Sequence, residues 1–178
     1  MAYFVFVDNS NVWIEGKFAS AVKQGWASST YEAHAMKAED TAWRLDFGKL
    51  LSFVTNDNLQ EIKRAVLFGS KPPLHDSLWA AMGQKFEVTA LDRNYANKEK
   101  AIDTGIVQQI SKSLYRDAEE GDIFVLVMGD KDFLPSIQAI HEENCLCHVA
   151  FWDNASGELV GEADQFIDLT PNIEVITH

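Results

Sequence analysis

Five short runs of apolar residues, rich in β-branched and aromatic side chains, are spread along the chain and predict β-strands. Four of the runs are apolar almost throughout instead of on alternate residues, which is typical of parallel strands that are covered on both faces. The runs are Tyr3 to Val7, Ala65 to Phe68, Ile123 to Met128 and Leu146 to Phe151, with Phe86 to Leu91 as the weakest.

Between the strands, apolar residues recur at the spacing of a helix that buries one face. Strands that alternate with such helices indicate an α/β fold, with three layers around a central, mainly parallel sheet. Pro135 falls in the first turn of the last predicted helix, where its missing N–H costs little. The four helices are marked by Leu45, Leu50, Leu51 and Val54; by Leu78 to Met82; by Ile102, Ile106, Ile110 and Leu114; and by Phe133, Ile137 and Ile140.

The length of 178 residues is ample for one domain and short for two, so we expect residues 1–178 to form a single domain. Residues from about 22 to 44 are the poorest fit to any element, because they mix small and polar residues with isolated aromatic ones. We expect an irregular excursion there, or a segment whose structure depends on a partner.

Acidic residues outnumber basic ones by 27 to 15, which gives a net charge of -12. This charge repels polyanions, so any contact with nucleic acid has to be local and assisted by cations. The chain shows no run of apolar residues long enough for a membrane span and no basic segment before its first apolar run. Cys145 and Cys147 lie two apart in an apolar run, where a strand directs both the same way and disfavours a disulfide. We therefore expect a cytoplasmic protein without a membrane partner.

Aspartates stand at the carboxyl ends of two predicted strands, which is the edge where open parallel sheets bind their ligands. Asp8 ends the first strand, and Asp130 and Asp132 follow the fourth. Asp103 begins the apolar stripe of a predicted helix one turn before Ile106, which turns its carboxylate toward the sheet. If the two strands are neighbours, four carboxylates converge at one edge.

Carboxylates grouped so closely raise one another's pKa unless a cation neutralises them. Mg²⁺ and Mn²⁺ prefer oxygen ligands, and Mg²⁺ is usually held by one or two carboxylates together with substrate phosphates. A zinc site is disfavoured, because the histidines are scattered and Cys-Leu-Cys-His lacks a second pair of ligands. The four aspartates therefore predict a metal-dependent phosphohydrolase or nuclease.

The aspartates have structural alternatives as well. Asp132 precedes an apolar helix, so helix capping and metal binding are equally good interpretations. Asp8 and Asp103 are also N-cap candidates, and Asn11 is a common residue type at a helix start. Asp130 is the exception: one cap suffices for the helix, so a functional role is the better interpretation.

Basic and aromatic residues near the aspartates are open to two interpretations each. Arg93, Lys98 and Lys100 are either solvated surface charges or a group that holds a phosphate of the substrate. Trp13 and Tyr95 are suited to stacking on bases, although an aromatic residue near a helix start is more often part of the core.

Three segments, FVFVDNSN, KEKAIDTGI and VLVMGDKDF, resemble in their order and spacing the NYN domain family of PIN-like nucleases, which includes the LabA-type proteins. The segments LDFGKLLSFV, LFGSKPP and ADQFIDL extend the resemblance over nearly the whole chain. It implies a PIN-like Rossmannoid fold and cleavage of RNA that depends on Mg²⁺ or Mn²⁺. It also implies that Asp8, Asp103, Asp130 and Asp132 form the metal site, with Asn11 beside it as an orienting residue.

The chain departs from the family pattern at the end of the fourth strand. The motif there commonly reads Ser-Gly-Asp-x-Asp-Phe, and Met128 stands in the place of the serine. Loss of a hydroxyl that orients a ligand or the substrate would lower activity without removing an aspartate. Lys131, between two of the aspartates, would replace part of the cation's charge if it pointed inward.

Two functional hypotheses follow: a metal-dependent endoribonuclease, or a weakly active or inactive regulatory module that binds metal or RNA. A receiver domain and a dinucleotide-binding domain are disfavoured, because the first strand lacks the acidic pair of the former and the glycine-rich turn of the latter. The expected substrate is a single-stranded or small structured RNA. Residues 22–44 are the candidate docking segment for a protein partner that delivers it, or for a second copy in a homo-oligomer.

Overall fold

The centre of the fold is a sheet of six parallel strands in the order β3-β2-β1-β4-β5-β6. The computed structural model describes residues 1–70, 87–91 and 98–178, with the backbone alone at 70, 90–91 and 98–102. The strands are β1 (Tyr3–Asp8), β2 (Ile62–Ser70), β3 (Glu87–Leu91), β4 (Ile123–Val127), β5 (Leu146–Phe151) and β6 (Gln165–Asp168).

Helices alternate with these strands, as the hydrophobic pattern predicts for a three-layer α/β fold. None of the helices in the described ranges is both long and apolar enough to cross a membrane. Short 3-10 turns, Leu59–Glu61 and Lys131–Phe133, precede β2 and α5. The α-helices of the described part are α1 (Asn9–Lys23), α2 (Thr30–Met36), α3 (Phe47–Val54), α4 (Lys98–Arg116), α5 (Leu134–Glu142), α6 (Gly157–Glu162) and α7 (Ile173–Ile176).

The strand β1 lies inside the sheet and is buried on both faces. Its residues alternate between two apolar cores: Tyr3, Val5 and Val7 pack into one, and Phe4 and Phe6 pack into the other. Helices α1, α3 and α7 complete the first core, and α4, α5 and α6 complete the second. This burial on both faces is the reason that the strand is apolar at successive positions.

The predicted strands and three of the predicted helices are present, with shifted ends. β2 extends beyond its predicted bounds, because its polar first residues also pair with β1. Leu45 lies before α3 instead of in it, where it pairs with Thr177, and Asp46 caps the helix through the N–H of Lys49 at 3.0 Å. Pro135 is in the first turn of α5 as predicted. The helix expected at Leu78 to Met82 and the strand residue Phe86 lie outside the described residues.

The helix α1 entered the sequence prediction only as the helix that Asp8 would cap. Four short elements have no counterpart in the prediction at all: β6, α2, α6 and α7. The strand β6 has four residues and is only partly buried. The three helices have seven, six and four residues. Segments this short contain too few residues for a helical or strand period to be recognised.

The segment 22–44, expected to be irregular, contains α2 and covers the outer side of α1. The backbone N–H of Asp40 donates to the carbonyl of Lys17 at 3.0 Å, and its carboxylate accepts the hydroxyl of Ser20 at 2.7 Å. Ala33 of α2 is completely buried. The segment mixes small and polar residues because small residues fill its contact with α1 while polar ones anchor its backbone.

Two tryptophans pack so closely on α1 that position 16 needs a glycine. A Cβ on Gly16 would lie 2.4 Å from ring carbons of Trp43 and 2.8 Å from Trp152. The two indoles meet edge to face with centroids 5.7 Å apart, and Trp152 donates its ring N–H to the carbonyl of Val12 at 3.0 Å. This packing fixes α1 against the carboxyl end of β5, where Trp152 follows Phe151.

We expect Gly16→Ala to lower the free energy of unfolding by about 1–3 kcal/mol, because the added methyl has to displace a buried indole. Gly161→Ala is the matched control, since a Cβ there meets no atom within 4 Å. In a helix without a clash, alanine is favoured over glycine by up to about 1 kcal/mol. Urea denaturation of both variants measures the difference, and equal effects would contradict the packing argument.

Candidate acidic active site

The strand order reverses between β1 and β4, and both strands run toward the same edge of the sheet. Their register pairs Val7 with Val127, so their carboxyl ends lie side by side. Asp8 is the last residue of β1, and Asp130 lies in the loop that follows β4. Doubly wound α/β folds bind their ligands at this kind of switch point.

Asp8 is a buried carboxylate that also caps α1. Only 6% of the residue is exposed, and its Oδ1 accepts the backbone N–H of Asn11 at 3.2 Å. The interpretation of Asp8 as an N-cap is thus confirmed. A cap requires one acceptor and no further acid, so capping does not account for the aspartates that surround it.

The pKa of Asp8 is raised from its ordinary value of 3.8 to about 6, chiefly because burial disfavours the charged form. The backbone N–H groups of Asn11 and Ser10 lower this pKa, and the charges of Asp103 and Asp130 raise it. Two of the predicted aspartates are therefore close enough to Asp8 to repel it. Asp132 is not among the groups that shift this pKa.

Asp130 and Asp132 are exposed in the turn that joins β4 to α5. Asp130 occupies the N-cap position of the 3-10 turn Lys131–Phe133 without making a capping hydrogen bond. The helix α5 begins after Phe133, again without a side-chain cap. The interpretation of Asp132 as the helix cap is therefore wrong, because the 3-10 turn moves the helix start beyond its reach.

Gly129 lets this turn pass directly over the ring of Phe151 at the end of β5. A Cβ at position 129 would lie 2.2 Å from a carbon of that ring. The carbonyl of Gly129 accepts the N–H of Ser156 at 2.9 Å. The backbone that carries Asp130 is thus held by packing on one side and by a hydrogen bond on the other.

Asp103 reaches the acidic group from α4, where it is half-buried. The helix begins at Lys98, so the interpretation of Asp103 as an N-cap is wrong. Two residues along, a Cβ on Gly105 would lie 4.0 Å from the ring of Phe68, near the carboxyl end of β2. The start of α4 therefore lies over the same edge of the sheet as Asp8, as the helical stripe predicts.

The model of the NYN domain family matches residues 4–170, which is nearly the whole chain. The chain belongs to the NYN domain family. This family is of the nuclease type and acts on RNA, and PIN-like nucleases usually use divalent metal ions. A search among curated proteins finds no match to the chain.

The acidic group of this NYN domain has the donor chemistry for a hard divalent cation. Asp8, Asp103 and Asp130 offer carboxylate oxygens, and a cation would relieve the repulsion that raises the pKa of Asp8. Across residues 1–70, 87–91 and 98–178, no three His, Cys, Asp or Glu side chains form a ready cluster of ligands. The fit is therefore to an ion held by one or two carboxylates with water and substrate oxygens, as is usual for Mg²⁺.

Met128, Lys131 and Asn11 lie close to the aspartates in the sequence, and the structure places each of them differently. Met128 is fully buried in the core that α4 and α5 cover. Lys131 is exposed to solvent, and Asn11 is half-buried in the first turn of α1. The departure from the family motif at Met128 therefore lies in the core, and Asp130 and Asp132 are exposed beyond it.

The predicted phosphate-binding group falls mostly outside the described side chains. Arg93 and Tyr95 lie outside the described residues, and Lys98 and Lys100 are described only as backbone at the start of α4. Their contact with a phosphate stays a prediction. Trp13, for which base stacking and a core position were both open, is 37% exposed.

A polar cluster beside the acidic edge has no signal in the sequence. Glu15 of α1 accepts a hydrogen bond from Asn154, which is 139 positions away, and contacts Nε2 of His34 at 2.8 Å. Nearby, the hydroxyl of Thr30 donates to Asp153 at 2.9 Å. These contacts tie α2 and the loop after β5 to α1, and only the fold brings the residues together.

A groove of about 500 Å³ lies at the opposite edge of the sheet, where α1 ends. Its cations include Lys23, which pairs with Glu174 at 3.3 Å, and Lys49, which donates to the carbonyl of Thr177 at 2.8 Å. Because these cations are engaged and the groove is remote from the aspartates, the acidic edge is the better candidate for the active site.

The raised pKa of Asp8 has a measurable effect on stability in the absence of metal. A carboxyl group whose pKa is about 6 folded and 3.8 unfolded destabilises the folded protein progressively as pH rises through this interval. Above pH 6 the ionised carboxylate lowers the free energy of unfolding by up to about 3 kcal/mol. Asn caps helices as well as Asp does, so Asp8→Asn should unfold at higher urea concentration than wild type at pH 7.5, with EDTA present.

At pH 4 the advantage of Asp8→Asn should have nearly vanished, because the wild-type carboxyl group is then largely protonated. Asp122→Asn is the matched control: Asp122 is buried too, but it accepts the N–H groups of Ala2 at 2.7 Å and Glu119 at 3.0 Å. The Asp122→Asn variant should be no more stable than the wild type at either pH. A gain for Asp8→Asn that does not depend on pH would refute the assignment.

Proposed function

We propose that this NYN domain is a Mg²⁺- or Mn²⁺-dependent endoribonuclease that hydrolyses phosphodiester bonds at the acidic edge. The observation that carries the proposal is the burial of Asp8 within repelling distance of Asp103 and Asp130. Mutually repelling carboxylates lower stability when no cation is bound, so a fold that retains them is suited to binding one.

The proposed metal ligands are Asp8, Asp103, Asp130 and Asp132. Asp8 is oriented by the N–H of Asn11, and the turn at Gly129 holds the backbone of Asp130. Asp132, exposed in the same turn, would complete the group from the solvent side. A divalent ion held here would polarise a phosphoryl oxygen and lower the pKa of a bound water.

Single-stranded or small structured RNA is the proposed substrate. The net charge of -12 requires that the RNA be held by local cations, and Arg93, Lys98 and Lys100 are the proposed ones. A protein partner or a second copy of the chain would deliver further contacts. Both cysteines are free and buried, which fits the proposed cytoplasmic location. The proposed single domain over residues 1–178 fits the one six-stranded sheet that the described strands form.

A second candidate is a regulatory module that binds RNA or metal without turnover. The specific observation in its favour is that the described part of the chain contains no preassembled cluster of three metal ligands. Tight RNA binding by the wild type without cleavage in Mg²⁺ or Mn²⁺ would favour this module over the nuclease.

We expect Asp130→Asn to reduce Mn²⁺-dependent cleavage of a labelled single-stranded RNA by at least about 100-fold, because the variant loses one anionic ligand. Asp117→Asn is the control, since Asp117 is also exposed but lies beyond the far end of α4. It should cleave like the wild type. If purified Asp130→Asn retained full activity, the aspartate site would not be the catalytic one.

Titration with Mn²⁺ should raise the thermal midpoint of the wild type, because an ion that binds only the folded state stabilises it. The thermal midpoint should rise less at every Mn²⁺ concentration in Asp8→Asn and in Asp103→Asn, since each variant lacks one of the carboxylates that repel one another. Differential scanning fluorimetry measures these shifts. Equal gains in all three proteins would mean that the two aspartates do not share an ion.

A further inference from the structure

Two large apolar residues in the first two turns of α1 face solvent: Trp13 is 37% exposed and Ile14 is 47% exposed. They share one stripe of the helix with Ser10 and Lys17, at the i, i+3, i+4, i+7 spacing, and these two residues are half-buried. Large apolar residues of a helix usually face the core, and these two do not.

Beyond these two turns, the outer side of α1 is covered. The backbone of Asp40 binds the carbonyl of Lys17 at 3.0 Å, and His34 stacks on Phe18 with ring centroids 3.7 Å apart. Further along, Ala21 is completely buried. The segment 22–44 thus covers the middle of α1 and leaves Trp13 and Ile14 exposed in the part of the helix that adjoins the acidic edge, while Lys23 is exposed at the other end.

A cation lies over the exposed indole. Nζ of Lys17 is 4.1 Å from the centroid of a Trp13 ring, and the same amine pairs with Glu39 at 3.3 Å. The side chain of Lys17 is therefore positioned from two sides. Trp13 is five residues along the helix from Asp8, which corresponds to about 7.5 Å of axial rise.

An exposed aromatic ring is the group on which many proteins stack the unpaired bases of single-stranded nucleic acid. Single exposed aromatic residues are common and need no explanation. Trp13 differs from such residues in three respects: Ile14 is exposed next to it, Lys17 is held over its ring and positions it, and both exposed residues lie in the first two turns of the helix that Asp8 caps.

We propose that Trp13 and Lys17 form a binding subsite for an unpaired base of single-stranded RNA next to the phosphate that is cleaved. The subsite rests on the proposed nuclease function, and it would make that nuclease selective for unpaired RNA. A base in a duplex has both faces covered by its neighbours and cannot stack on Trp13, so the subsite favours unpaired nucleotides.

RNA binding without cleavage tests the subsite separately from catalysis. In an Asp130→Asn background with Mn²⁺, fluorescence anisotropy of a short labelled single-stranded RNA gives the dissociation constant. Trp13→Ala should weaken binding by about 5- to 100-fold, the range found for loss of one stacked base. Trp13→Phe should restore most of the affinity. Trp26→Ala is the control, because Trp26 is 52% exposed but lies beyond the other end of α1.

Unchanged affinity in Trp13→Ala, with an unchanged thermal midpoint, would overturn the subsite and leave the nuclease proposal standing. If Trp13→Ala weakened binding while wild type cleaved no RNA, the subsite would stand and the nuclease proposal would fail. A partner protein or second copy on the same stripe is the competing occupant. A change in molecular mass by light scattering in Trp13→Ala, with RNA binding unchanged, would assign the stripe to self-association and overturn the subsite.

Discussion

The parallel pairing of β1 with β4 is the contact on which the candidate site depends. Both strands are buried, and the register from Tyr3 opposite Ile123 to Val7 opposite Val127 joins them in the middle of the sheet. A slip by one residue would exchange the apolar side chains of the two cores, so this register is strongly determined. It brings Asp8 to the same edge as the turn that carries Asp130.

At the same edge of the sheet, aromatic side chains pack against the backbone that carries the aspartates, and the aspartates repel one another. Trp152 and Trp43 fix α1, and Phe151 fixes the turn at Gly129, so the carboxylates cannot easily move apart. Burial and neighbouring acids raise the pKa of Asp8, which means that the apo protein is less stable near neutral pH than its core would allow. Stability and the proposed metal binding are therefore linked through one carboxyl group.

Sequence reasoning succeeded where a residue's role follows from its neighbours in the chain. Asp103 was placed by helical spacing from Ile106, and Asp8 by the end of an apolar run. It failed at Asp132 as a cap, because capping depends on where the helix starts, and a 3-10 turn displaces that start. It could not decide between base stacking and a core position for Trp13, since local spacing does not reveal that the segment 22–44 leaves this residue exposed.

The sequence by itself determined the α/β class, the long elements and the order of the acidic motifs, because hydrophobic period and strand-end position are local properties. Only the tertiary structure decided which strands are neighbours, how the segment 22–44 covers α1, and which aspartates repel one another. These features depend on contacts between residues far apart in the chain, such as Trp152 with Val12 and Asn154 with Glu15. No local pattern encodes such contacts, because they arise only when the whole sheet has formed.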